Sequence, residues 1–296
     1  MIQCRDQVGL VAAISSVISG HGLNIVSIRE NVDGEREMFF ARLVVEAAQQ
    51  PAAAEDAPRP AEETAQRPVP ATSGAPRLQE ELRLVLPPGA HVRVNPEPHK
   101  KIVLLVTKEY HCLGDILLRH HFGTLGAGVQ CVIGNHAFLG DICHRFSIPF
   151  RLVSHEGKDK AAFEAALVSV LSDYAFDFIV LAKFMRILSS AFIERYPHRI
   201  INIHHSFLPA FVGASPYRQA FERGVKLIGA TAHFVTDDLD EGPIIAQQII
   251  PVNHTFTPAD MIRAGKEIET SVLARALQLV LEDRVFITGN KTIVFE

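Results

Sequence analysis

Residues 101–115 read KIVLLVTKEYHCLGD. The apolar run Ile102–Val106 is unbroken, and a helical pattern follows it from Cys112 to Phe122. The same alternation recurs in VQCVIGN (129–135), PFRLVS (149–154), DFIVLA (177–182) and RIINIH (199–204), with a further helical pattern at 160–172. Continuous apolar strands separated by helices predict a parallel sheet covered on both faces, and hence a doubly wound, Rossmann-like α/β domain. No G-x-G-x-x-G follows the first strand, where Thr107-Lys108-Glu109-Tyr110-His111 stands instead, so a dinucleotide cofactor is unsupported. Downstream, LIGATAHFV (227–235) and IIAQQIIPV (244–252) read as strands, 258–282 as a long helix, and VFIT and KTIVF as a hairpin turned by Gly289-Asn290.

Upstream the texture differs. Val8, Leu10, Val11, Ile14, Val17 and Ile18 follow a helical period, Leu23–Ile28 and Met38–Val45 read as strands about an Asp33-Gly34 turn, 78–86 reads as helix and 91–94 as strand. Residues 1–97 thus form a small α+β unit and 98–296 the α/β unit. Within the first, residues 47–76 are rich in Ala and Pro and lack aromatic residues, a composition that predicts a disordered insert.

The whole chain has 296 residues, 48% of them hydrophobic, and a net charge of −4 with no basic stripe, which argues against a nucleic-acid partner. No apolar run reaches the ~20 residues of a membrane span. The four cysteines show no C-x-x-C spacing, as expected of reduced thiols in a cytoplasmic protein.

The candidate site lies in INIHHSFLP (201–209). Asn202 and His204, two apart at the carboxyl end of a strand, project from one face where ligands of open parallel sheets bind. His205 is expected to face away, which also argues against a metal held by the two histidines, and Lys183 is expected to snorkel at its strand end. The loop TDDLDEGP (236–243) supplies acids, one of which could complete an amide, imidazole and carboxylate set suited to acyl chemistry. Ser206 lacks the G-x-S-x-G context of a serine nucleophile.

The motifs INIHHSFLPAF, GATAHFVTDDLDEGPII and LAKFMRIL resemble the formyltetrahydrofolate-dependent formyltransferase fold, and the whole chain resembles the formyltetrahydrofolate deformylase family. CRDQVGLVAAISSVISGHGLNIV with FFARLVVE is similar to an ACT regulatory domain, which implies a ferredoxin-like fold with a shortened first strand. The resemblance assigns catalysis to Asn202, His204 and Asp240. It places Met185, Arg186, Ile187 and Leu188 along the folate pocket, adds His233, and gives the Asp237–Gly242 loop to the pterin. It puts a small amino-acid effector near Asp6 and Gly9, and implies a homo-oligomer. The implied reaction is hydrolysis of 10-formyltetrahydrofolate, the folate being substrate and neither cofactor nor metal being required, with formate supplied to purine synthesis. Transferases of this fold carry a Gly-Asn-Gly-Ser-Asn type phosphate loop where this chain has TKEYHCLGD, and His-Pro-Ser-Leu-Leu-Pro where it has His204–Pro209, so water is the expected acceptor. Transfer to an amine and silent ligand binding are the rival readings.

Overall fold

The computed structural model describes residues 1–47, 74–97, 99–209 and 216–296. It divides into two compact units, Met1–Pro98 with Phe295, and His99–Val294 with Glu296. The expectation of disorder at 48–73 lies outside the described residues. The flanks of that segment are ordered, with Ala47 ending a strand and Ala75 and Pro76 opening a helix.

The first unit runs β1 (Ile2–Arg5), α1 (Leu10–Gly20), β2 (Leu23–Asp33), β3 (Met38–Ala47), α2 (Ala75–Val85) and β4 (His91–Val92). The antiparallel order β2-β3-β1-β4 is the split βαβ arrangement. Although β1 has only four residues, it pairs on both sides. Leu10, Ile14 and Ile18, one helical turn apart, bury one face of α1 against Ile2, Cys4, Phe39 and Leu78. β2 extends beyond Ile28 to Asp33 because its pairing with β3 runs to the turn, where the Asp33 carboxylate accepts from the backbone N–H of Glu35 and Arg36.

The second unit runs β5 (Lys100–Val106), α3 (His111–His121), β6 (Ala127–Gly134), α4 (Gly140–Arg145), β7 (Phe150–Leu152), α5 (Lys160–Leu171), β8 (Phe178–Leu181), α6 (Ser190–Ile193), β9 (Ile200–His204), α7 (Pro216–Arg223), β10 (Leu227–Phe234), β11 (Ile244–Pro251), α8 (Pro258–Leu281), β12 (Val285–Thr288) and β13 (Lys291–Val294). Its seven-stranded sheet has the order β11-β10-β9-β8-β5-β6-β7. The five strands read as a parallel set are parallel, and β10 and β11 add an antiparallel edge. The unbroken apolar run of β5 reflects burial on both faces: Ile102, Leu104 and Val106 enter one core, Val103 and Leu105 the other. Helix α8 covers the first core and begins with a capping box between Thr257 and Asp260, with Pro258 at its first turn.

Strand order reverses between β5 and β8, so a crevice opens at their carboxyl ends. Across it the Met185 N–H donates to the Thr107 hydroxyl at 3.0 Å. β12 and β13 form a separate hairpin.

Candidate active site

β9 and β10 pair antiparallel with Asn202 opposite His233 and His204 opposite Thr231. A cross-strand pair shares a face, so the register itself delivers the Asn202 amide to the His233 ring, Nδ2 to Nε2 at 3.2 Å. His233 is 1% exposed, and its Nδ1 N–H donates to the Phe234 carbonyl at 2.9 Å. With Nδ1 so committed, Nε2 of the neutral ring is the lone-pair edge that accepts from Asn202. His233 therefore holds the Asn202 amide from the neighbouring strand; the sequence resemblance grouped it with the substrate contacts.

The turn after β9 is stapled to the sheet. The buried Thr231 hydroxyl donates to the Ser206 carbonyl and accepts from the Leu208 N–H and the Gln247 amide, which uses its full hydrogen-bonding capacity. Nothing in the sequence pattern marked Thr231 or Gln247.

Asp240 arrives from the loop between β10 and β11. Its Oδ2 lies 3.3 Å from His204 Nδ1, and its Oδ1 lies 3.7 Å from His233 Nε2. Asp237 and Asp238 remain exposed, so one acid of the loop is turned inward. Two contacts set that loop. Gly242 packs so closely on β10 that a Cβ there would meet the Phe234 carbonyl oxygen, and Asn290 of the β12–β13 turn donates to the Glu241 carbonyl. Asp240 holds φ +58°, sparsely populated for a residue with a side chain. Burial pushes its carboxyl up, but the hydrogen bond from His204 is the largest of the contacts that outweigh this and hold it well below the usual carboxylate range.

With Nδ1 of His204 on Asp240, Nε2 is left buried with no hydrogen-bond partner among the described residues. His204 is 5% exposed, and an unsatisfied ring nitrogen there costs free energy unless a ligand supplies its partner. The geometry thus offers an imidazole that donates from Nε2 when protonated, on the strand face it shares with an oriented amide and backed by a carboxylate. Such a set stabilises an oxyanion on a carbonyl carbon.

The other predicted residues are dispersed. Met185, Arg186 and Ile187 are exposed after β8 while Leu188 is buried, Gly242 is buried at the base of its loop, and Asp6 and Gly9 are exposed at the β1–α1 turn, where Gly9 caps α1 with φ +90°. Two expectations are corrected. Because β9 ends at His204, alternation ends there too, and the His205 ring lies 5.0 Å from that of His204 instead of facing away. Lys183 does not snorkel: its ammonium is buried 3.0 Å from Glu269, an acid of α8 too distant in sequence for any local pattern to reveal.

Residues 100–277 match the family model described as formyl transferase, and residues 1–57 match the ACT domain. Fold and site together define a formyl-transferase-fold enzyme joined to an ACT unit. The formyltetrahydrofolate deformylase of Escherichia coli is 46% identical over 291 residues, covering 98% of this chain and 95% of that protein. A solved formyltetrahydrofolate deformylase from Pseudomonas syringae superposes with a TM-score of 0.87 at 37% identity, covering 100% of this chain and 93% of that one. One from Burkholderia mallei gives 0.86 at 34%, covering 100% and 98%. The chain belongs to the formyltetrahydrofolate deformylase family.

Proposed function

We propose that this protein hydrolyses 10-formyltetrahydrofolate to formate and tetrahydrofolate, supplying formate for purine synthesis and balancing the one-carbon folate pool. The observation that carries this reading is the buried Nε2 of His204, without a partner among the described residues, on the strand face it shares with Asn202. Water adds to the formyl carbon, and the resulting oxyanion accepts from Asn202 and a protonated His204, where one well-aimed donor is worth about 3 kcal/mol. Asp240 orients His204 and the water, and the proton released as the C–O bond forms is relayed to N10 as the C–N bond breaks. Met185, Arg186, Ile187 and Leu188 line the folate crevice, and the Asp237–Gly242 loop meets the pterin. The folate is substrate, and neither cofactor nor metal is required.

The same reading places the protein in the cytoplasm, in keeping with four free, buried cysteines and no helix among the described residues long and apolar enough to cross a membrane. It makes the protein a homo-oligomer with a small amino-acid effector near Asp6 and Gly9. Val26, Ile28 and Val32, exposed on β2, suit the assembly role.

The test is formate release from 10-formyltetrahydrofolate by purified, chelator-treated protein with no amine added. Stoichiometric formate, lost in Asp240→Asn, is expected. Formate that fails to appear while an added amine becomes formylated would make the protein a transferase.

A further inference from the structure

A buried polar cluster beside the site has no part in the mechanism above. Glu269, 1% exposed on α8, accepts from Lys183 Nζ at 3.0 Å and His111 Nε2 at 2.7 Å on one oxygen, and from the Tyr217 hydroxyl at 2.8 Å on the other. The three donors come from different elements: Lys183 follows β8, His111 opens α3, and Tyr217 lies on α7. Helix α8 leaves room for this, because a Cβ at Gly265, one turn before Glu269, would lie 2.1 Å from the Tyr217 ring. Lys183 is 7% exposed and holds φ +62°. A lysine in the left-handed region is strained, and a buried ion pair is no more stabilising than apolar packing. Stability alone does not account for the arrangement. His111, Cys112 and Glu269 have metal-ligand spacing, but the Lys183 ammonium already occupies the cation's place at Glu269.

The cluster reaches the catalytic groups through His205. The His205 ring stands between that of His204, with centroids 5.0 Å apart, and that of Tyr217, 6.3 Å away. Its ring neighbours are His204 on β9 and Tyr217 on α7, and the charged groups that act on it are Lys183 after β8, Glu269 on α8 and Asp240 after β10. Burial, followed by the Lys183 and His204 charges, pushes His205 down to about 4, so at neutral pH its ring offers a lone pair.

We infer that His205 shares with Asp240 the orienting of the attacking water, each taking one of its O–H groups, and that the Lys183–Glu269 pair, acting through Tyr217, positions His205 to do so. The inference rests on the deformylase reading. The water donates one O–H to the unprotonated ring nitrogen of His205, which aims an oxygen lone pair at the formyl carbon held by Asn202 and His204. His205 gains no proton; the proton leaves by the relay to N10 described above. Lys183, Glu269 and Tyr217 touch no reacting atom and are positioning residues.

The experiment measures kcat and KM for formate release, with urea midpoints, in the full-length wild type, His205→Phe, the double variant Lys183→Met/Glu269→Gln, and Lys183→Arg. His205→Phe keeps a ring but loses the acceptor, and should lower kcat about 30-fold with the folate KM within about threefold. The double variant removes the ion pair without stranding a charge and should lower kcat about tenfold at unchanged KM, whereas Lys183→Arg should stay within about threefold of wild type. In His205→Phe, kcat within about twofold of wild type overturns the water-orienting role; in a folded double variant, the same result overturns the positioning role. If the double variant does not fold, His205→Phe, which leaves the buried pair intact, decides. A wild-type protein that releases no formate overturns the deformylase reading itself, whatever the variants do.

Discussion

His204 Nδ1 lies 3.3 Å from Asp240 Oδ2, although the first residue ends β9 and the second sits in the loop beyond β10. The contact fixes which edge of the imidazole faces the crevice. In the wild type the Nδ1 N–H points at a carboxylate, so Nε2 donates to an oxyanion when the ring is protonated, and Asp240→Asn removes the negative charge that favours this imidazolium. Losing a charged oxyanion donor lowers kcat on the order of a thousandfold. Formate-release kinetics should show that loss with the folate KM nearly unchanged, and a near-native kcat would remove Asp240 from the mechanism.

His233 should matter through Asn202. With its Nδ1 on the Phe234 carbonyl and Nε2 on the Asn202 amide, His233→Ala frees that amide and opens a cavity. The expected result is a kcat lower by about 30-fold, with stability lower by about 2 kcal/mol in urea unfolding. His233→Gln, which keeps an acceptor, should retain more activity than His233→Ala. The reverse order would mean that His233 serves packing alone.

Gly242 tests how the loop is held. A Cβ there would sit 1.8 Å from the Phe234 carbonyl oxygen, a backbone atom that cannot rotate away. Gly242→Ala should therefore displace the Asp240 loop, lowering kcat by about tenfold or more and Tm by several degrees, a few kcal/mol in a unit of this size. Calorimetry and kinetics on the same preparation check both.

Glu269 makes stability depend on acid. Burial pushes its carboxyl up, but His111, Lys183 and Tyr217 outweigh this and bring it down to about 2 from an ordinary 4.5. A depressed carboxyl contributes stability that is fully present above its unfolded value and lost as pH falls through the folded one. The window is thus about pH 4.5 down to 2, and the contribution on the order of 3 kcal/mol. Urea midpoints should fall across that window in the wild type and fall less steeply in Glu269→Gln. Equal slopes would show that other carboxylates carry the acid sensitivity.

Much of this protein was legible in its residues. Ile102–Val106, Phe178–Leu181 and Ile200–Ile203 are apolar without alternation because both faces of their strands are buried, and that pattern is local. Asn202 and His204 share a face because a strand repeats every two residues, and the sequence motifs carried the family. What remained illegible depends on contacts between distant segments. Which acid of Thr236–Pro243 turns inward follows from Gly242 meeting Phe234 and Asn290 meeting Glu241. That His205 lies beside His204 follows from the strand ending under the Thr231 staple. The Lys183–Glu269 pair joins a strand end to a helix that begins at Pro258. Hydrophobic periodicity records only whether a side chain is buried, while the identity of its polar partner is decided when the sheet and helices close and each buried donor must find an acceptor.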